Sequence, residues 1–492
     1  MFKSVPILLL LTLSICFAKI QKARYDNYKV IRIDISTTEQ LNLLKDIEDF
    51  DTAYNFWESP EGVGTSTDIV IPPYKFEEIE SFLNKFNFKY ETTIENLQAI
   101  IDNEKIGNAD DGLDWEAYYP LEAIYEWLGK VAQENSKYVT PFEIGKSYEG
   151  RPILGVKISY KEGNPGIFIE SNIHAREWIT SATVTWIINE FLNSEDPAVR
   201  DLAENIDWYI IPVLNVDGFE YSHTTDRQWR KTRIPVSSLC FGTDANRNFD
   251  YLWFTGGSSN NPCSNTYAGP NAFSEPETKA LASFYDKIHQ NITAYFSFHN
   301  YGQYLLYPYG SPAADRVSNE DEHQYVGQAA IAKLEERYGT KYTTGDALNV
   351  LYAASGISID WAKGVYDVPF SFTYEFRDKG KLGFLLPADQ IIPNAEEHQY
   401  VGQAAIAKLE ERYGTKYTTG DALNVLYAAS GISIDWAKGV YDVPFSFTYE
   451  FRDKGKLGFL LPADQIIPNA EEVLDSLIEF VAKARDLGYF KK

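Results

Sequence analysis

Histidine is scarce in this chain: there are six among 492 residues, and the stretch from residue 19 to 105 has neither histidine nor cysteine. That first stretch therefore cannot build an imidazole or thiolate metal site. Cysteine is scarcer still, at three. Cys16 falls in a leader-like segment, which leaves Cys240 and Cys263 with only each other to pair with in an oxidising compartment. Basic residues are outnumbered, 45 against 70 acidic ones, for a net charge of −25. That balance argues against nucleic acid or an anionic membrane surface as partner. Long apolar runs are also missing, except at the start. Met1-Phe-Lys3 and the apolar residues up to Phe17 read as a secretory signal, too short to span a bilayer, with cleavage expected after Ala18. A signal anchor is the alternative.

What is present is core material. The chain is 44% hydrophobic and 15% aromatic, with 34 Tyr and 10 Trp. Its length suggests two or three domains. In residues 19–105, Ile31, Ile33 and Ile35 alternate with Arg32 and Asp34, which is strand periodicity. A helical stretch at 39–48, strand-like segments at 54–57 and 68–71, a helix at 76–83 and a strand at 88–90 follow. That order suggests a small α+β sandwich. Between Lys89 and Lys130 the only basic residue is Lys105, set before a small, polar, acidic stretch expected to be exposed and flexible. A trypsin-like protease would have one obvious place to cut.

From about residue 115 strands and helices alternate, the mark of an α/β sheet with helices on both faces. Strands are expected at 153–159, 166–171, 208–213 and 294–298, and a half-buried helix at 179–192. His174 and Glu177 follow the strand at 166–171, and His299 closes the one at 294–298. Ligands in such sheets gather outside the carboxyl ends of strands. Two imidazoles and a carboxylate suit a zinc ion that keeps its fourth position open, and open zinc sites hydrolyse. An isolated His-x-x-Glu is common, so the surrounding residues must carry the case.

Those residues resemble the zinc carboxypeptidases of the A/B type, a peptidase family with secreted precursors. The matching stretches are Asn172-Ile-His-Ala-Arg-Glu-Trp-Ile-Thr180, Gln228-Trp-Arg-Lys-Thr-Arg233, Asp244-Ala-Asn-Arg-Asn-Phe-Asp250, Phe298-His-Asn-Tyr-Gly-Gln303 with Leu306-Tyr-Pro-Tyr-Gly310, and Phe372-Thr-Tyr-Glu-Phe-Arg-Asp378. They stand in the family's order from about Tyr118 onward. The part before is loosely similar to the family's inhibitory propeptide, with an independent binding domain as the alternative. The resemblance implies a mixed, mostly parallel sheet with helices on both faces. It implies one zinc on His174, Glu177 and His299, the His₂Glu set already known from carboxypeptidase A. It also implies a disulfide between Cys240 and Cys263.

Further roles come from the same motifs. Glu375 matches the family's proton-transferring glutamate, and Arg230 its cation beside the developing oxyanion. Asn246 and Arg247 match the pair that binds a free terminal carboxylate, for which a planar guanidinium offers two hydrogen bonds. Tyr352 matches a mobile tyrosine cap. Arg176, Arg227 and Tyr301 match residues along the substrate path. Ile359 stands at the floor of the terminal side-chain pocket, where an acid would select Lys or Arg. Burying a cation against isoleucine is expensive, so an apolar preference is expected. Ile357 replaces a usual glycine and would narrow that pocket.

Residues 322–396 recur without a difference as 397–471, a period of 75. Solenoid repeats are shorter and drift. Zero divergence points to a recent duplication or an error in the gene's assembly. The second copy duplicates Glu375 as Glu450, Tyr352 as Tyr427 and Ile359 as Ile434. A sheet has one slot for the strand bearing the glutamate. The final helix, expected at 473–487 with Asn469 and Glu472 as a capping box, tilts the choice slightly towards the second copy.

The leading expectation is a secreted, monomeric zinc carboxypeptidase zymogen. It would act on peptide or protein C-termini, be activated by a trypsin-like protease, and bind neither membrane nor nucleic acid. A catalytically impaired peptide-binding homologue is a second reading, favoured only by the repeat. A zinc deacylase or amidase is a third, disfavoured by Asn246, Arg247 and Tyr352. The sequon Asn291-Ile-Thr293 is a candidate glycan site.

Overall fold

The computed structural model describes residues 22–379 apart from 61 and 109–111, then 462–463, 466–486 and 489–490, with the backbone alone at 429–430 and 445–453. The signal segment, Tyr427, Ile434 and the side chain of Glu450 lie outside the described residues.

The N-terminal unit runs β1 (Lys29–Asp34), α1 (Thr38–Phe50), β2 (Asn55–Phe56), β3 (Ser66–Ile71), α2 (Phe76–Lys85), β4 (Lys89–Ile94) and α3 (Leu97–Ile101). Thr37 caps α1 by accepting from Gln40 N, while Gln40 reaches back to accept from Ser36 N. The antiparallel sheet has the order β2-β3-β1-β4. Ile31 and Ile33 pack with Ile69 and Ile71 against Leu44, Ile79 and Leu83 of the two helices. The opposite face is only partly open to water, at Asp34, Lys89 and Glu91. Val30, Val70 and Ile94 on that face join the core of the larger unit.

The larger unit runs α4 (Leu121–Glu134), β5 (Val139–Lys146), β6 (Pro152–Ile158), β7 (Gly166–Ser171), α5 (Trp178–Asn193), α6 (Pro197–Asn205), β8 (Asp207–Ile211) and α7 (Val216–Thr224). It continues through α8 (Pro276–Ile288), β9 (Ile292–Asn300), β10 (Tyr304–Tyr307), α9 (Glu320–Tyr338), β11 (Thr343–Asp346), α10 (Ala347–Val350), β12 (Ala353–Ala354), α11 (Ser358–Tyr366) and β13 (Phe370–Asp378). It closes with β14 (Ala429–Ser430), β15 (Phe445–Asp453) and α12 (Ile466–Asp486). β13, β9, β7 and β8 are parallel, and β6 and β5 extend the sheet antiparallel.

Side chains alternate across a strand, so neighbours on β9 report both faces. Phe296 packs on Phe480 of α12, and the adjacent Tyr295 packs on Tyr285 of α8. Helices therefore cover both faces, as the alternating pattern predicts. Cys240 and Cys263 form the expected disulfide.

The two copies of the repeated strand lie against the same neighbours. β7 occupies one edge of β9. Along the other edge β13 and β15 both pair with β9 in the same register, with Glu375 and Glu450 each opposite His299. Both also pair with β10, and the two run in register with each other. One edge of β9 can hydrogen-bond one strand, so the copies are alternative occupants of one place.

Two expectations need correction. α12 begins at Ile466, not Val473, so Asn469 and Glu472 lie inside the helix and cannot form its capping box. Pro468 is tolerated because the first turn leaves its backbone N–H groups unbonded anyway. The linker after Lys105 is less free than its composition suggests. Lys105 is exposed, but its carbonyl accepts from Tyr118 N at 2.9 Å, and Gly107 N donates to Tyr118 O at 2.8 Å.

Candidate active site

The loop after β7 is tied down by one residue. Asn172 sits at φ 48°, a left-handed conformation that asparagine tolerates. Its amide donates to Glu177 O at 2.9 Å, and its Oδ1 accepts from Ser181 N at 3.1 Å. His174 and Glu177 are thereby fixed just ahead of α5, with Glu177 at its N-cap.

His174, Glu177 and His299 are all buried and form the one group among the described residues whose donor atoms could hold a metal. His174 Nδ1 lies 2.8 Å from Glu177 Oε1 and 3.0 Å from His299 Nδ1, and His299 Nδ1 lies 3.3 Å from Glu177 Oε2. Both Nδ1 atoms face the carboxylate while both Nε2 atoms point away into polar partners. His174 Nε2 lies 3.1 Å from Asp244 Oδ1. His299 Nε2 lies 2.9 Å from Ser297 Oγ and 3.2 Å from Asn246 Nδ2. Converging donors, outer nitrogens held by other groups and an anionic third ligand fit a zinc ion. Burial favours a neutral Glu177, yet His174 and His299 hold its carboxyl down at about 2. Burial brings His299 down to about 4, so its imidazole is neutral, the ligating form.

The cations sit around this centre. Arg230 donates to Asp244 Oδ2 through Nη2 at 2.8 Å, and its Nη1 is 3.8 Å from Glu177. Burial opposes ionisation of Asp244, but Arg230, His174 and Arg247 keep it well below the usual carboxylate range. Arg247 is buried and donates to Gly257 O and Asn246 O. Glu375 is buried beside His299 in the parallel register, and burial together with the charge of Glu177 pushes its carboxyl well up. Ile357 and Ile359 are fully buried around the start of α11.

The N-terminal unit closes over these groups. Phe56, Trp57, Glu58 and Ser59 line one cavity with Arg230, Arg247 and Tyr352. Tyr301 Oη donates to Asp68 at 2.7 Å. Arg176 donates to Trp57 O at 3.0 Å. Arg227 grips Glu104 through two nitrogens, at 2.8 and 2.9 Å. Every residue expected along the substrate path thus meets the N-terminal unit. Sequence reading assigned no role to Asp244, Asn172 or Ser297. The position of Asp244 two residues before Asn246-Arg247 was the available signal for it.

Residues 124–401 and again 392–476 match the family model described as "Zinc carboxypeptidase". The chain belongs to the zinc carboxypeptidase family. Residues 31–104 match "Carboxypeptidase activation peptide". This carboxypeptidase is 43% identical over 391 residues to "Zinc carboxypeptidase A 1" of Drosophila melanogaster, covering 77% of this chain and 90% of that one. It is 37% identical over 402 residues to "Carboxypeptidase A1" of Homo sapiens, covering 79% and 95%. Its fold matches the crystal structure of thrombin activatable fibrinolysis inhibitor with a TM-score of 0.71 at 26% identity, over 94% of this chain and 100% of that one. The carboxypeptidase is a metallopeptidase with a propeptide.

Proposed function

We propose that the chain is a secreted, latent zinc carboxypeptidase that removes apolar C-terminal residues once its propeptide is cut off. The carrying observation is that Arg176, Arg227 and Tyr301 are each engaged by a propeptide group, Trp57 O, Glu104 and Asp68. A substrate cannot use them while the propeptide does. Zinc held by His174, Glu177 and His299 would supply a Lewis acid that polarises the scissile carbonyl. Glu375, or Glu450 when the second copy fills the slot, takes a proton from the attacking water and hands it to the leaving amine. Arg230 stabilises the charge that develops on the former carbonyl oxygen, worth on the order of 3 kcal/mol. Asn246 and Arg247 bind the terminal carboxylate, and Tyr352 or Tyr427 caps it. Ile359 or Ile434 floors the side-chain pocket, with Ile357 restricting its size.

Trypsin treatment should cut after Lys105 and leave Ile106 as the new N-terminus. The activated enzyme should then show higher kcat/KM on peptides ending in Leu or Phe than on matched peptides ending in Lys or Glu. Preference for Lys would overturn the pocket assignment, and full activity of the uncut precursor would overturn latency.

A further inference from the structure

The sheet carries a second buried acid close to the metal ligands that has no part in the chemistry above. Glu170 on β7 stands directly opposite Ser297 on β9, and His299 follows two residues later on the same face of β9. Ser297 Oγ donates a very short hydrogen bond to Glu170 Oε1. The same Oγ lies 2.9 Å from His299 Nε2. Ser358, the first residue of α11, adds a hydroxyl donor to Glu170 Oε1 at 3.2 Å. Glu170, Ser297 and Ser358 are fully buried and His299 nearly so.

A metal on His299 Nδ1 forces the ring proton onto Nε2. That proton needs an acceptor. Asn246 Nδ2, at 3.2 Å, is itself a donor. Ser297 Oγ can accept it, provided its own hydrogen points elsewhere, and Glu170 is where it points. The carboxylate therefore fixes the direction of the hydroxyl, and the hydroxyl fixes the tautomer and tilt of the imidazole. On the other ligand histidine, Asp244 meets Nε2 without an intermediary. The two histidines are held by two acids, one direct and one relayed.

We propose that Glu170 is a positioning residue for the metal, acting through Ser297 to present Nδ1 of His299. The proposal rests on zinc as the resident ion. The test measures zinc dissociation by chelator competition in the full-length protein, alongside thermal unfolding of the metal-free form. Ser297→Ala should weaken zinc about 10–100-fold while the metal-free midpoint stays near that of the unaltered protein. Glu170→Gln, whose amide oxygen can still accept from Ser297, should weaken zinc by less. The double variant should be no worse than Ser297→Ala alone, and Ser297→Thr, which keeps the hydroxyl, should restore affinity. Zinc affinity within twofold of the unaltered protein in Ser297→Ala would overturn the relay. So would an effect of Glu170→Gln that persists undiminished in the Ser297→Ala background. If Ser297→Ala does not fold, Glu170→Gln decides alone, and unchanged affinity overturns the idea. An unaltered protein that binds no zinc would instead defeat the metal reading itself.

Discussion

The small sheet and the large sheet both bury charge on one face, but they settle it differently. In the small sheet Asp68 is paired with Arg32 of the same sheet and accepts a hydrogen bond from Tyr301 of the other unit. In the large sheet Glu177 and Asp244 are settled by histidines and Arg230 within the same unit. A third acid, Glu277 on α8, faces Tyr148 N at 3.4 Å, and burial with the charges of Glu275 and Asp217 pushes it up to about 8. A hydrogen bond made to a charge across an interface is lost when the interface parts. Charge settled inside one unit stays with the fold.

The sharpest way to break this contrast is to remove a ligand from the large sheet. His299→Ala should abolish both zinc binding and activity, while the metal-free fold unfolds within a few degrees of the unaltered protein. A variant with full zinc occupancy would contradict the site. Next in size is the shared slot. Glu375→Gln and Glu450→Gln should differ, the copy in the slot losing about 10²–10⁴-fold in kcat. If each single variant stays near full activity and only the double variant is dead, the copies exchange.

The interface charge should give a smaller effect. Asp68→Asn removes the ion pair with Arg32 and weakens the bond from Tyr301, so propeptide docking should loosen and the uncut precursor should leak at least about tenfold more activity. A basal rate unchanged within twofold would show that Asp68 does not hold the two units together. Smallest is Glu277→Gln. The folded carboxyl sits near 8, above its ordinary 4.5, so its contribution to stability is full below about pH 4.5 and lost as pH rises through about 8. The variant should therefore gain several degrees in unfolding midpoint at pH 8 and almost nothing near pH 4.5. Equal shifts at both pH values would rule out this titration.

Much of the site was legible because its residues sit at strand ends, where motif and topology coincide. Gly166–Ser171 is a strand as expected, His174 lies in the loop just after it, and His299 stands near the end of the neighbouring β9. Arg32 was harder to place. Its alternation with Ile31 and Ile33 marks it as pointing away from the small core, which for an isolated sheet means solvent. Here that side is an interface, and alternation alone does not distinguish the two. Ser297 was hidden for a related reason: a serine in an apolar strand gives no sign of which acid lies across from it until strand order is known. The start of α12 is hard to read because proline breaks a helix interior, whereas in a first turn, where Pro468 stands, it is compatible with helix.

For the cut proposed after Lys105, the pairing of Lys105 and Gly107 with Tyr118 would make activation a matter of timing. A protease must draw the chain around Lys105 into its own cleft, and that requires two backbone hydrogen bonds to part first. The nearby grip of Arg227 on Glu104 resists the same excursion. When closing is faster than cutting, the rate of activation becomes the cutting rate multiplied by the fraction of time this segment is open. With that cut site the precursor would carry a built-in delay, set by a local equilibrium rather than by how plainly Lys105 is displayed.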